Sequence, residues 1–212
     1  MRTWVYIDGF NLYYRSLKNT PYKWLDPLKA AQNVLKPNYN IQRIKFFTAR
    51  VSPSSRNPDV HNRQKIYLKA LEANNSNLEI IYGNFQISTV QCYLNPPLEG
   101  KQFHQRKKIE EKGSDVNLAV HLLNDAYKNE YDCAIVISND SDLAEAMNLV
   151  QVEKKKHIGL IKTGKGRPTV KLAQYSNFTR NLDEKSLKNG QLPNPVLDAK
   201  TGKELWKPAV WK

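Results

Sequence analysis

The chain has 212 residues, 40% of them hydrophobic, and its 33 Lys and Arg outnumber 20 Asp and Glu to give a net charge of +13. This size and composition suit one α/β domain, alone or with appendages. No apolar run approaches the roughly 20 residues of a membrane helix, and the first apolar stretch is too short and too acidic for a secretory signal. Two cysteines, Cys92 and Cys133, do not make a disulfide scaffold, so we expect a reducing, cytoplasmic setting without membrane association.

The excess of positive charge favours a polyanionic partner, and nucleic acid is the most common one for such a chain. A soluble protein that is merely basic would have the same composition, so charge alone leaves both interpretations open. The aromatic residues, 11 Tyr and 4 Trp, are compatible with base stacking, although core packing accounts for most residues of this kind.

Predicted strands and helices alternate along most of the chain, which is typical of a parallel, three-layer α/β domain. Short apolar runs indicate strands buried on both faces, and apolar residues at helical spacing indicate helices. Asp26 followed by Pro27 predicts the start of a helix. In chain order we predict strand 3–7, helix 12–17 capped by Asn11, helix 27–35, strand 41–51, helix 60–73, strand 78–82, helix 116–127, strand 134–137, a helix from Leu143, strand 157–161 and a short helix 169–175.

Two regions do not fit this alternation. Residues 83–108 alternate weakly in polarity and are then broken by Pro96 and Pro97, so we predict either a hairpin or a mobile insertion. The region 181–212 is predicted to be an irregular tail laid over the domain of residues 1–180, with Trp206 and Trp211 as its anchors. The sequence leaves the oligomeric state open, a homodimer included, since the tail could also pack on a partner.

Acidic residues stand at three places where a strand ends or a helix begins. Asp8 follows the first strand, Asp115 stands at the start of a helix, and Asp140 and Asp142 follow the central strand. Each of them could simply cap a helix or favour the positive end of its dipole. One cap needs one side chain, however, so the pair Asp140 and Asp142 leaves one aspartate without that explanation.

The carboxyl ends of parallel strands meet at one edge of a sheet, where ligands bind in open α/β folds. Carboxylates brought together there repel each other, and a divalent cation would relieve the repulsion. Oxygen ligands suit Mg²⁺ or Mn²⁺, which can activate water and neutralise charge on a phosphodiester. Asp8, Asp115 and Asp140, with Asn11 and Asp142 nearby, therefore predict a metal site.

Basic segments could offset the repulsion between this acidic centre and a nucleic-acid backbone. They are Lys101–Lys108, Lys154–Lys156 and Lys165–Lys171. An acidic centre with a basic rim is what a metal-dependent nuclease needs. The residues of these segments that we expect to contact substrate are Arg106, Lys107, Lys108, Lys165 and Arg167.

Three short motifs resemble the signatures of the NYN domains, which belong to the PIN-like nuclease superfamily. They are Ile7–Asn11 (IDGFN), Lys112–Val116 (KGSDV) and Ser138–Leu143 (SNDSDL). Their order and spacing are similar to the family pattern over residues 3–162, and the closest resemblance is to the LabA-like branch. Each motif alone is weak, but the three in order are specific.

The resemblance implies a PIN-like, Rossmann-like fold, a divalent-metal site and ribonuclease activity on RNA. It implies that Asp8, Asp115 and Asp140 are metal ligands. It also implies that Asn11 and Asp142 complete or orient the site.

Further residues take roles from the same resemblance. Ser138 would lie beside the metal site, and Lys112 would contact a phosphate or be an ordinary exposed lysine. Glu111 is a candidate additional ligand or a solvated charge. The chain departs from the common third motif at Asn139, where Gly is usual, and at Leu143, where Phe is usual. Neither change removes a ligand.

Other functions fit the sequence less well. It has no GxGxxG after a strand, no GxxxxGK[ST] loop and no GxSxG elbow. Its four histidines have no zinc-ligand spacing. The alternative that stays open is a non-catalytic RNA-binding or regulatory protein with the same fold, in which the aspartates serve as caps. Which RNA is bound, and whether DNA is also cut, is not encoded in any of these motifs.

Overall fold

The computed structural model of the protein describes residues 1–53, 57–98, 101–166 and 169–211. Seven strands form its central sheet: β1 (Arg2–Asp8), β2 (Asn40–Ala49), β3 (Leu78–Leu98), β4 (Lys101–Lys112), β5 (Cys133–Ile137), β6 (His157–Lys162) and β7 (Phe178–Asn181). Their spatial order is β4-β3-β2-β1-β5-β6-β7. β3 and β4 pair antiparallel, and the other neighbours pair in parallel.

Helices connect most of these strands and cover both faces of the sheet. They are α1 (Gly9–Leu12), which continues into a π-helical turn at Tyr13–Leu17, α2 (Pro27–Val34), α3 (Val60–Asn74), α4 (Ser114–Tyr127), α5 (Ala144–Val152), which follows a 3₁₀ turn at Ser141–Leu143, α6 (Val170–Gln174) and α7 (Glu184–Asn189). Asp26 caps α2 by accepting bonds from the N–H groups of Leu28 and Lys29, as its sequence predicts. The predicted three-layer α/β fold with a mainly parallel sheet is confirmed.

The core lies in two layers because successive residues of a strand point to opposite faces. Val5 and Ile7 of β1 pack with Leu12 and Trp24 on one face. Tyr6 packs on the other face, with α4 and α5. β1 is buried on both sides, as the apolar run at the start of the chain predicts.

The direction of the strand order reverses between β1 and β5. From β1 the chain moves to β2 on one side, and from β5 it moves to β6 on the other. Ile7 of β1 lies opposite Ile137 of β5, so Asp8 and Ser138 leave the sheet side by side. Such a switch point leaves a crevice at the carboxyl ends of the strands, where ligands bind in open α/β sheets.

A long hairpin extends the β3 edge of the sheet. β3 pairs with β2 only as far as Gly83, after which it pairs with β4 from Asn84 opposite Lys112 to Tyr93 opposite Phe103. The strand predicted for residues 78–82 therefore continues much further, because β4 satisfies its backbone groups beyond the parallel part of the sheet.

The tail after residue 181 is less irregular than predicted. It contains α7 and a two-stranded antiparallel sheet of β8 (Val196–Asp198) and β9 (Lys203–Leu205). Trp211 packs against Trp24, with ring centroids 6.4 Å apart. The prediction that Trp206 is also an anchor is wrong: its side chain is 56% exposed.

One helix start also differs from the prediction. Asp8, not Asn11, caps the first helix, because its Oδ1 accepts the N–H of Asn11 at 2.9 Å. The Asn11 side chain is thereby released for other contacts. Among the helices that the structure describes, none is long and apolar enough to span a membrane.

Candidate active site

Asp8 occupies the carboxyl end of β1 and is the most buried acidic residue of the candidate site, with 8% of its surface exposed. Its two carboxylate oxygens accept hydrogen bonds from different donors. Oδ1 accepts the backbone N–H of Asn11, and Oδ2 accepts the hydroxyl of Ser138 at 3.0 Å. Each oxygen keeps a second lone pair, so capping a helix does not exhaust this carboxylate.

The turn after β5 brings the second acidic residue to the same edge. Ser138 is fully buried, and its hydroxyl oxygen accepts the N–H of Asp140 at 3.1 Å while it donates to Asp8. Asp140 in turn caps the 3₁₀ turn by accepting the N–H of Asp142 at 3.1 Å. Ser138 thus couples the two turns, through the carboxylate of Asp8 and the backbone of Asp140.

Asn11 ties three loops together. Its side-chain oxygen accepts the N–H of Asn139 at 3.0 Å and the hydroxyl of Thr163 at 2.5 Å. The Asn139 side chain then accepts the N–H of Thr169 at 3.3 Å. Asn11 is therefore an orienting residue in this geometry, because its oxygen is already occupied by two donors.

The third acidic element is the junction between β4 and α4. Glu111 accepts the N–H of Ser114 at 3.0 Å and so satisfies one of the free donors at the start of α4. Asp115 lies in the first turn of the helix, where its Oδ1 accepts the N–H of Val116 at 2.8 Å. Ser114 is buried, and Gly113 holds the N-cap position of α4 with φ of 90°.

These elements enclose a cleft of about 300 Å³. Four acidic side chains line it, and Arg15 is the cation among its lining residues in the described part of the chain. The complete lining is Asp8, Phe10, Asn11, Tyr14, Arg15, Glu111, Ser114, Asp115 and Asp140.

The electrostatics of the cleft are those of crowded carboxylates. The pKa of Asp8 is raised from 3.8 to about 6, chiefly by burial and also by the nearby charges of Asp140 and Glu111, while its two hydrogen bonds oppose the change. A positive ligand near Asp8 would restore its ionised form at lower pH.

The donor set of this cleft is chemically suited to a hard divalent cation. All the acidic donors are carboxylate oxygens, as Mg²⁺ and Mn²⁺ prefer. Within the described residues, no three acidic, histidine or cysteine side chains are close enough together to hold one ion among them. Mg²⁺ usually keeps several waters and is bound through one or two carboxylates, so the residues present fit a hydrated ion.

Several predicted site residues do not line the cleft. Asp142 is exposed on the 3₁₀ turn, although its N–H supports Asp140. Lys112 is exposed at the end of β4, 3.6 Å from Glu110. Ser138 lies behind the cleft, where it positions Asp8.

Among the described residues, the predicted basic contacts do not line the cleft either. Arg106 and Lys107 are exposed on the outer part of β4, and Lys108 pairs with Glu110 at 2.7 Å. Arg106 stands six residues before Lys112, roughly 20 Å along a strand. Lys165 is exposed in the loop after β6, and Arg167 lies outside the described residues.

The structure also shows residues that the sequence does not single out. Arg15 lies in the π-helical turn, where nothing in the local pattern distinguishes it from a solvated helix charge. Thr163 reaches Asn11 from the end of β6.

The fold and the cleft define an α/β protein of the open, mainly parallel class, with an acidic site at its switch point. The chain belongs to the NYN domain family, whose model matches residues 2–180. This match confirms the resemblance carried by the three motifs, and it supports a nuclease-type fold. The assignment to the LabA-like branch stays a prediction.

Two individual proteins are similar to the chain. The 6-hydroxy-3-succinoylpyridine 3-monooxygenase HspA of Pseudomonas putida (strain DSM 28022 / S16) is 30% identical over 224 aligned positions, which cover 92% of this chain and 72% of that protein. A crystal structure of a protein of unknown function from Vibrio parahaemolyticus RIMD 2210633 superposes with a TM-score of 0.48 at 12% identity, over 86% of this chain and 93% of that one.

Proposed function

We propose that the protein is a divalent-metal-dependent endoribonuclease that hydrolyses RNA phosphodiester bonds. The observation that supports this most is the cleft at the switch point, which four carboxylates line in a chain of net charge +13. Membership of the NYN family, which is generally a family of nucleases, points the same way.

In this proposal Asp8, Asp115 and Asp140 hold Mg²⁺ or Mn²⁺, with Glu111 as a further ligand or a partner to bound water. The ion would lower the pKa of a bound water and neutralise charge on the phosphodiester. Asp8 and Asp140 are suited to this role because Ser138 contacts both of them.

Other residues of the cleft act on the position of these groups and of the substrate. Asn11 keeps the turn after β5 against α1 through its bonds to Asn139 and Thr163. Arg15 lines the same cleft and is placed to attract a phosphate. Asp142 supports Asp140 from outside the cleft, through its backbone.

The basic residues outside the cleft supply the longer-range attraction for RNA. Arg106, Lys107 and Lys108 lie along β4, with Lys112 nearer the cleft, and Lys165 lies on the loop after β6. Charges at this distance bind the backbone without reading sequence. We assign Arg167 to the same group from its sequence position alone.

A second candidate function is a non-catalytic RNA-binding protein with the same fold. One observation favours it: Asp8, Asp115 and Asp140 all accept helix-start N–H groups, as caps would. Four carboxylates around one cleft argue against it, since three helix starts need only one acceptor each. The similarity to a protein named as a monooxygenase does not describe the chemistry of this cleft.

The deciding experiment uses protein freed of metal and a labelled mixed-sequence RNA. Cleavage is followed with and without Mg²⁺ or Mn²⁺ for the wild type, Asp140→Asn and Glu145→Gln. Glu145 is the matched control, since it is exposed just after the same turn and does not line the cleft. We expect metal-dependent cuts by the wild type and the control, and a loss of at least about 100-fold in Asp140→Asn.

Equal cleavage by Asp140→Asn would refute this site. Salt-sensitive RNA binding without cleavage in any metal would instead support the RNA-binding protein. A parallel assay with single-stranded DNA of the same sequence determines whether the activity is restricted to RNA.

A further inference from the structure

A second and larger cavity adjoins the acidic cleft. It has a volume of about 540 Å³ and lies between the π-helical turn, α3 and the last residues of the tail. Phe10 and Tyr14 line both the cavity and the cleft, so the two spaces share a wall. A volume of this order is in the range of small-molecule sites, about 300–1,000 Å³.

Aromatic rings make up much of the wall of this cavity. Phe10 and Tyr14 are stacked, with centroids 6.3 Å apart and planes inclined by 20°. Tyr67 and Trp211 meet edge to face at 5.9 Å on the side of the tail. Tyr14 stands at the junction with the cleft and is 60% exposed, so its ring is accessible to a planar ligand.

All charges that the described residues place on the cavity wall are positive. Lys18, Lys23 and Arg63 line it, and none of its described lining residues is Asp or Glu. In the described part of the chain, none of these three cations is in a salt bridge. Lys18 lies 5.0 Å from the Tyr14 ring centre, and Lys23 donates to a backbone carbonyl at 2.8 Å. The cavity therefore attracts anions, in contrast to the adjoining cleft.

Arg63 also donates to the Asn57 side chain. Aromatic walls and cations without an acidic partner among the described residues together select a planar ring joined to an anionic group. We propose that this cavity binds the base and phosphate of the nucleotide next to the one cut in the acidic cleft, with Tyr14 against the base and Arg63 on the phosphate. The proposal rests on the proposed function and adds a substrate subsite to it. A nucleotide is favoured over a free aromatic acid because the acidic cleft and the cavity share a wall. One RNA strand can therefore occupy both spaces, with adjacent nucleotides in each.

The subsite is tested by direct binding in metal-free protein, where no cleavage occurs. The probes are adenosine 5′-monophosphate, adenosine and benzoate, measured by titration calorimetry. The variants are Arg63→Gln and Tyr14→Ala, and Lys65→Gln is the matched control on α3, since Lys65 is exposed and does not line the cavity. Urea unfolding verifies that each variant is folded.

We expect the nucleotide to bind more tightly than adenosine, and its affinity to fall with salt. Arg63→Gln and Tyr14→Ala should each weaken it about tenfold, and Lys65→Gln by less than about twofold. An equal loss in Arg63→Gln and Lys65→Gln would overturn the proposal. So would benzoate binding as tightly as the nucleotide and depending equally on Arg63, since the cavity would then hold free aromatic acids.

Cleavage kinetics separate this subsite from the nuclease itself. If the wild type cuts RNA and Arg63→Gln raises KM about tenfold with kcat kept, both proposals are supported. If the wild type cuts RNA and Arg63→Gln changes neither constant, the subsite is wrong and the nuclease stands. If the nucleotide binds as expected but no metal supports cleavage, the nuclease fails and the cavity is supported as a nucleotide site.

Discussion

Asp8 shows how one side chain serves the fold and the site together. It caps α1, accepts the Ser138 hydroxyl and lines the cleft, all from the end of a strand that is buried on both faces. Burial raises its pKa to about 6, which means that ionising Asp8 at neutral pH opposes folding in the absence of a cation. Ionisation of this residue and stability of the fold are therefore in conflict, as is common at functional sites.

The raised pKa of Asp8 predicts how stability depends on pH in metal-free protein. Between about pH 4 and pH 6 the unfolded chain has lost the Asp8 proton and the folded chain keeps it, so stability falls as pH rises through this window and then levels off. Asp8→Asn lacks this titration. We expect the wild type to lose up to about 3 kcal/mol relative to the variant across the window.

Urea unfolding in the presence of a chelator, at pH 4, 5, 6 and 7, measures this difference. Comparison with Asp8→Asn removes the effect of the other carboxylates, such as Asp132, whose pKa Arg2 lowers to about 2. Parallel pH profiles for the two proteins would contradict the prediction. Added Mg²⁺ or Mn²⁺ should stabilise the wild type more than the variant at pH 7.

Glu111 and Glu110 offer a second comparison at the residue scale. Glu111 lines the cleft, whereas Glu110 pairs with Lys108 and does not. Glu111→Gln keeps an oxygen for the Ser114 N–H and removes only the charge. We expect it to lower apparent metal affinity in the cleavage assay by about 10–100-fold, while Glu110→Gln changes it little. Equal effects of the two substitutions would remove Glu111 from the ligand set.

The hairpin of β3 and β4 is the element that most changes the surface of the α/β fold. Glu111 lies where the hairpin meets the rest of the sheet and lines the cleft. Arg106 and Lys107 are exposed on the outer part of the hairpin, away from the cleft. Beyond Gly83, β3 pairs with β4 and no longer with β2, so the two strands can extend into solvent while each satisfies backbone groups of the other. One element thus connects the acidic centre to the basic rim.

Neutralising the outer hairpin should weaken RNA binding without affecting the chemical step. For Arg106→Gln combined with Lys107→Gln, we expect lower affinity and a salt slope reduced by about 1.4, which corresponds to two phosphate contacts on a single strand. Fluorescence anisotropy between about 50 and about 200 mM salt measures the slope. Lys185→Gln with Lys188→Gln, on exposed positions of α7, is the matched control. A similar loss in both doubles would indicate that only net charge matters.

At the scale of the whole molecule, the C-terminal tail is part of the core. Leu192 and Val196 are buried, and the Trp24 indole donates to the carbonyl of Pro193 at 2.8 Å. Trp211 forms part of the wall of the larger cavity. The domain division proposed from the sequence, with residues 1–180 as the nuclease unit and 181–212 as a tail, therefore needs a direct test.

Two truncations give that test. Removing residues 192–212 should lower the free energy of unfolding by about 3–6 kcal/mol, since two buried side chains are lost and Trp24 is uncovered. Removing residues 207–212 deletes Trp211 but keeps β8 and β9. We expect this shorter deletion to weaken nucleotide binding more than it reduces stability. An unchanged unfolding midpoint after the longer deletion would establish that residues before it fold independently.

The alternation of strands and helices, and the acidic residues at their ends, can be predicted from the amino-acid sequence. These features depend on local patterns: apolar periodicity, helix starts such as Asp26 before Pro27, and the abrupt ends of buried strands. The three motifs identified the family, because their order and spacing relate residues that lie far apart in the chain. Charge also pointed to a polyanionic partner.

Which side chains lie together in the cleft depends on how the whole chain packs. Asp140 and Asp142 are two residues apart, yet one lines the cleft and the other is exposed. Arg15 lines the cleft and Trp206 is exposed to solvent, although no local pattern in the sequence indicates either position. The physical reason is that strand order and the crossovers around the β1–β5 switch point set these contacts, and they depend on the packing of the whole chain rather than on any one segment.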